Sequence, residues 1–232
     1  MKSIIILIFI LIQSPFIFAS EDIYLEKAPI DLSDQPSLQK GARTFINYCL
    51  NCHSAKYMRY NKLLDIGLSK KDIKENLLFT GKKIGDPMEI SMPVAESKKW
   101  FGAAPPDLSV VARSRGSDWI YSYMKGFYRD SSREIGWNNI VYVNSAMPHI
   151  LWELQGEKKL DQKTGKLSLI KAGKLNEKEY DSVITDLTNF ITYMSEPGQL
   201  KRKKMGFYVV GFLLLLLVLT IKLKKEFWKD IK

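Results

Sequence analysis

Apolar residues recur every three to four positions along several stretches of this chain, and those stretches predict helices. Behind Pro36-Ser37, the residues Leu38, Ala42, Phe45 and Ile46 fall on one helical face. Ser69 stands at an N-cap position ahead of Asp72, Ile73, Leu77 and Leu78. Ser117 reads as the cap of a segment through Trp119, Ile120, Tyr123, Met124 and Phe127. The longest pattern starts near Asn176, runs through Tyr180, Val183, Ile184, Leu187, Phe190, Ile191 and Met194, and breaks at Pro197-Gly198. Residues 81–106 and 131–147 lack a period and read as irregular, with Ile140-Val141-Tyr142-Val143 a candidate short strand. Residues 156–173 are charged and read as an exposed insertion. The prediction is a mainly α fold in one domain with loop insertions.

Both ends depart from this pattern. Residues 1–20 have the form of a signal peptide: Lys2, then an apolar run from Ile4 to Ile12, then small Ala19 and Ser20 before Glu21-Asp22. Met205 to Ile221 carries no charge. At 1.5 Å per residue that stretch reaches roughly 25 Å, which Lys204 and Lys222 extend by snorkelling. The organisation expected is therefore a signal peptide (1–20), an exported domain (21–200), a transmembrane anchor with basic flanks (201–224) and a short cytoplasmic tail (225–232). That is a single-pass protein of a bacterial inner membrane, its domain in the periplasm.

Charge narrows the partners. The formal net charge is +10, but residues 201–232 hold nine Lys/Arg against two acids. The basic balance belongs mostly to the membrane flanks, so no nucleic-acid partner is predicted.

The candidate chemistry lies in Cys49-Leu50-Asn51-Cys52-His53. Cys-x-x-Cys-His is the attachment motif for c-type haem: each thiol adds to one vinyl group, and the histidine becomes an axial ligand. A thioredoxin-like pair would need a strand–helix–strand setting, which the pattern lacks. A zinc site would need further ligands, and the chain has only two cysteines and one other histidine, His149. Export before haem attachment fits the signal peptide. For the second axial position, Met92-Pro93 and Met147-Pro148 stand out among eight methionines, since proline stiffens the preceding residue. Met147 is the first choice. Met92 and His149 remain alternatives, the latter giving a lower potential through bis-histidine ligation.

Beyond the haem motif, the chain contains Trp100-Phe101-Gly102-Ala103-Ala104-Pro105-Pro106-Asp107-Leu108-Ser109, Arg113-Ser114-Arg115-Gly116, Asn144-Ser145-Ala146-Met147-Pro148-His149, and Glu196-Pro197 leading to the lysine-flanked span. In this order they resemble the cytochrome c1 family, the haem subunit of ubiquinol–cytochrome c reductase, in its short bacterial form. The resemblance implies a c-type cytochrome domain with one covalent haem c. It matches Met147 to the axial methionine, Pro105 and Pro106 to prolines packed on the haem, and Arg115 to a propionate partner. Trp119 stands where relatives often have tyrosine. The implied partners are cytochrome b, a Rieske iron–sulfur protein that reduces the haem, and a soluble or membrane-tethered cytochrome c that oxidises it, in a dimeric complex. Relatives often present acidic surfaces to a basic acceptor. Residues 21–200 hold 25 Lys/Arg against 23 Asp/Glu, so that charge relation is not carried over. A free-standing tethered carrier feeding a terminal oxidase would share the motif and the anchor.

Overall fold

The computed structural model describes residues 24–230; the segment read as a signal peptide lies outside them. Two helices form the frame. Helix α1 (Gln35–Thr44) starts where the Asp34 carboxylate accepts the Ser37 N–H at 3.1 Å, with Pro36 in the first turn. It continues as a π-helical turn, Phe45–Cys49, in which the Leu50 N–H reaches the Phe45 carbonyl at 2.9 Å. After strand β1 (Ala55–Arg59) and a 3-10 turn (Tyr60–Ile66), α2 (Lys70–Asn76) carries the predicted Ser69 cap as a full capping box with Asp72.

The region expected to be irregular holds strand β2 (Pro87–Met88), paired antiparallel with β1, and helix α3 (Val94–Phe101), which ends at Gly102 with φ 76°. Short α4 (Val111–Arg115) leads to α5 (Ser117–Lys125). Ser117 is not the cap of α5: Gly116 is, at φ 89°. Asp118 in its first turn instead accepts the Ala28 N–H at 2.8 Å, tying down the strap that precedes α1.

Strands β3 (Phe127–Arg129) and β4 (Trp137–Asn139) pair Phe127 with Asn139 and Arg129 with Trp137. The strand candidate at 140–143 is a turn. Asn139 Oδ1 accepts the N–H groups of Val141 and Tyr142, and Asn138 Oδ1 accepts that of Asn144, so asparagine side chains curl the backbone where β-branched residues favour extension. One turn of helix, α6 (Trp152–Gln155), precedes the hairpin β5 (Gly156–Leu160) and β6 (Leu167–Ala172), which gives the charged insertion regular structure.

Helix α7 (Glu177–Ser195) is capped by Asn176 in a box with Glu179 and buries the predicted stripe from Tyr180 to Met194. It packs along α1, with Phe45 and Phe190 rings 5.6 Å apart. The break at Pro197-Gly198 separates it from α8 (Gln199–Phe227), whose 29 residues contain the apolar run and none of which is buried. The fold is mainly α, with one helix among the described residues long and apolar enough to cross a membrane.

Candidate cofactor site

A cavity of about 350 Å³ opens between the haem motif, α4, α5, α7 and the loop before α6. That volume falls in the range of ligand pockets. Its walls are mostly apolar, including Leu108, Val111, Ile120, Leu187 and Ile191. All the predicted site residues reach it: Cys49, Cys52, His53, Pro105, Pro106, Arg115 and Met147 line one space.

The motif is presented by a specific local turn. The π-helical stretch ends at Cys49, whose carbonyl accepts the N–H groups of Cys52 at 3.1 Å and His53 at 2.8 Å. This closes the five residues into a loop with both thiols and the imidazole toward the cavity. Both cysteines are free thiols. Burial, aided by the neighbouring Cys52, pushes the Cys49 thiol up to about 12, and burial also raises Cys52.

His53 is buried, and its Nδ1 lies 2.8 Å from the Pro106 carbonyl. A carbonyl only accepts, so Nδ1 carries the proton and donates, leaving the Nε2 lone pair free toward the cavity. Burial lowers the pKa of His53, more than the Pro106 and Asp107 contacts restore it, which favours the neutral ring that ligates metal. A ring nitrogen tied to a backbone carbonyl, two thiols beside it and an apolar slot with a thioether on its wall fit a covalently held haem. Among the described residues no three His, Cys, Asp or Glu side chains converge on a metal position, so the thiols lack the ligands of a zinc site.

Met147 stands on the loop wall. Its N–H donates to Ser145 Oγ at 3.3 Å, and Ser145 Oγ pairs with the Tyr123 hydroxyl at 2.7 Å, both residues being buried. Asn144 begins this loop at φ 61°, a left-handed conformation that asparagine tolerates. The rival ligands fall elsewhere. Met92 is not on the cavity wall, and Met58, Met88 and Met194 are core residues. His149 points behind the wall, stacked on Phe127 at 4.8 Å and 3° and edge-on to Trp137 at 5.1 Å. Neither of its ring nitrogens makes a well-formed hydrogen bond among the described residues, and burial, more than the nearby Gln155 side chain offsets, draws its pKa down to about 4, so it is a neutral packing residue at neutral pH.

Arg115 ends α4 at the cavity rim, exposed, with its guanidinium 5.2 Å from the Trp119 ring centroid. Trp119 in turn stacks on Tyr123 at 4.8 Å and 8°. The sequence pattern did not mark Tyr48, Phe101, Tyr123 and Tyr142 as wall residues; Trp119, singled out by the resemblance, and Met124, read only as part of a helical stripe, also line the cavity. The i, i+4 spacing of Trp119 and Tyr123 was the available signal.

Similarity to known proteins extends over the whole chain. The model of the Cytochrome C1 family matches residues 24–87 and 83–231. A protein of Nitrosomonas europaea named as an ammonia monooxygenase gamma subunit is 46% identical over the whole of both chains. Cytochrome c1 of Allochromatium vinosum is 42% identical, again over the whole of both, and that of Rhodospirillum rubrum is 29% identical over 86% of this chain and 83% of its own. Proteins of the matched family carry covalently attached haem c, the group that the thiols, the oriented imidazole and the apolar slot suit. On motif, cavity and full-length similarity together, this chain belongs to the cytochrome c1 family.

Proposed function

We propose that this chain is the membrane-anchored electron carrier of a quinol–cytochrome c reductase. Haem c, when bound, would supply the one-electron chemistry by which the chain takes electrons from a Rieske iron–sulfur protein and passes them to a periplasmic cytochrome c. The observation that supports this reading is that one apolar cavity is lined both by His53, whose Nδ1–H is committed to the Pro106 carbonyl, and by Met147.

Each residue has a defined task. Cys49, at the end of the π-helical turn, and Cys52 would hold a haem through thioether links. His53, through Nε2, and Met147, through its sulfur, would be the iron ligands. A methionine ligand favours the ferrous state and a high potential, as an acceptor late in the chain requires. Pro105 and Pro106 would pack against the cofactor, and the Pro106 carbonyl sets the imidazole tautomer. Arg115 at the rim would pair with a propionate, where a guanidinium can offset the carboxylate charge. No side chain acts as a nucleophile or general base.

Helix α8 anchors the domain beside cytochrome b, with residues 21–200 in the periplasm and 225–232 in the cytoplasm, in a dimeric complex. Quinol binds on cytochrome b and takes no ligand from this chain. The test is purification in mild detergent through a tag on the C-terminal tail, followed by a reduced-minus-oxidised spectrum. Stoichiometric b-type haem beside the c-type signal supports membership of the reductase. A c-type signal alone would indicate a free-standing tethered carrier. Co-purification with an ammonia monooxygenase instead would assign the chain to the complex named for its Nitrosomonas relative.

A further inference from the structure

We propose that the β5–β6 hairpin is the docking surface for an acidic soluble electron acceptor. This rests on the electron-carrier reading above and adds to it the charge of the partner.

The first observation is where the charge lies. Residues 157–174 hold six lysines against two acids, whereas residues 21–200 as a whole exceed neutrality by only two. The hairpin therefore carries +4 and the rest of the domain −2. Local pairing leaves most of that charge available. Lys171 meets Glu157 at 3.4 Å and Lys174 meets Glu153 at 2.6 Å, and Lys158 is half-buried, but the exposed Lys159, Lys163 and Lys166 form no salt bridge among the described residues. Asp161 is absorbed by its own turn, accepting the Lys163 N–H and the Thr164 hydroxyl, each at 2.8 Å.

The second observation is an apolar element inside the basic rim. Leu169 and Ile170 on β6 are 57% and 55% exposed, which is costly in water and usual at the centre of a recognition surface. The third is position. The hairpin root is locked to the cavity wall segment: Lys174 and Leu175 donate to the carbonyls of Glu153 and Leu154, and a Cβ on Gly173 would lie 2.3 Å from the Leu154 oxygen. Lys171 sits 5.8 Å from the Trp152 ring, two residues from Ile150 on the cavity wall.

A membrane surface is the other anionic partner to consider, and placement disfavours it. The hairpin joins the N-terminal end of α7, while α8 leaves from its C-terminal end, and 19 residues of helix separate the two by roughly 28 Å. An acidic protein approaching the cavity from solvent is steered by the hairpin field and then held by the exposed leucine and isoleucine. In the encounter one electron leaves the reduced chain and reduces one ferric acceptor, and no atom is exchanged.

The experiment uses the full haem-loaded chain in zwitterionic nanodiscs. Its probes are a basic soluble cytochrome c and the same protein with its lysines succinylated. Stopped-flow oxidation of the reduced chain is expected to be faster with the succinylated form, and the advantage should shrink as ionic strength passes about 0.15 M. A Lys159→Gln/Lys163→Gln/Lys166→Gln variant should lose about tenfold in that rate at low salt while keeping its spectrum and potential. Equilibrium binding of the succinylated protein, followed by sedimentation, reads docking without electron transfer. Binding without oxidation would thus fault the carrier reading and leave the docking surface intact. Faster reaction with the basic form, or a triple variant indistinguishable from wild type, would overturn the proposal. So would hairpin-dependent binding to phosphatidylglycerol vesicles without binding to the acidic protein.

Discussion

Gly41→Ala tests whether the helix pair that carries the haem motif packs as tightly as the structure requires. A Cβ at this position would sit 1.9 Å from the Asp186 carbonyl oxygen and 2.7 Å from both its carbon and the Phe190 Cβ. Two of these obstacles are backbone, so no rotamer change relieves them. Ordinary contact would require α1 and α7 to separate by more than 1 Å. Overpacking of this kind costs about 1–3 kcal/mol or more, while replacing glycine by alanine within a helix returns about 1 kcal/mol. The separation would also strip contact from Leu38, Ala42, Phe45 and Leu187, all nearly inaccessible. Because the obstacles are backbone, the cost falls at the upper end of that range, and the net expectation is destabilisation by about 2 kcal/mol, read as a lower urea midpoint for the haem-loaded chain in detergent. Gly85→Ala is the control, because nothing lies within 4 Å of its Cβ. A Gly41→Ala chain that unfolds at the wild-type midpoint or above it would refute the packing argument.

Other expectations follow from local geometry. Tyr123→Phe removes the hydroxyl that pairs with Ser145 at 2.7 Å beneath Met147. It should cost about 1 kcal/mol by urea titration and raise carbon monoxide binding by the reduced protein, as Met147 becomes easier to displace. An unchanged carbon monoxide affinity would mean that Ser145 does not brace the loop. Asn176→Ala deletes the cap of α7, whose Oδ1 accepts the Glu179 N–H at 3.0 Å. A loss of about 1 kcal/mol is expected, with little change in the visible spectrum; a shifted spectrum would show that the cap also shapes the site.

The parts of the fold that a reader could take from the sequence are those governed by near neighbours. Ser69 and Asn176 cap their helices through residues three positions on, and the Tyr180 to Met194 stripe needed only its own period to be recognised. Distant partners decided the rest. Asp118 is drawn to Ala28, ninety positions away, which leaves Gly116 to start α5. Asn138 and Asn139 overrule the β-branched run after them. Residues 94–101 fold as a helix although the stretch around them is rich in proline and glycine. At the site, the residues carrying chemistry were legible because their spacing or family motif is unusual. The aromatic wall was not, because Trp119 and Tyr123 look like core residues until α4 and the Met147 loop are seen to close over them. His149 shows the converse: a residue type that suggests ligation, used here for packing.

The central claim is that His53 and Met147 face one iron across the cavity. The reduction potential of Met147→Leu, measured by spectroelectrochemical titration against wild type, tests it most directly. The account predicts a haem still covalently attached through Cys49 and Cys52, with a clearly lower potential, because the thioether that favours ferrous iron is gone. A potential equal to that of wild type, with haem still attached, would take Met147 off the iron and contradict the account.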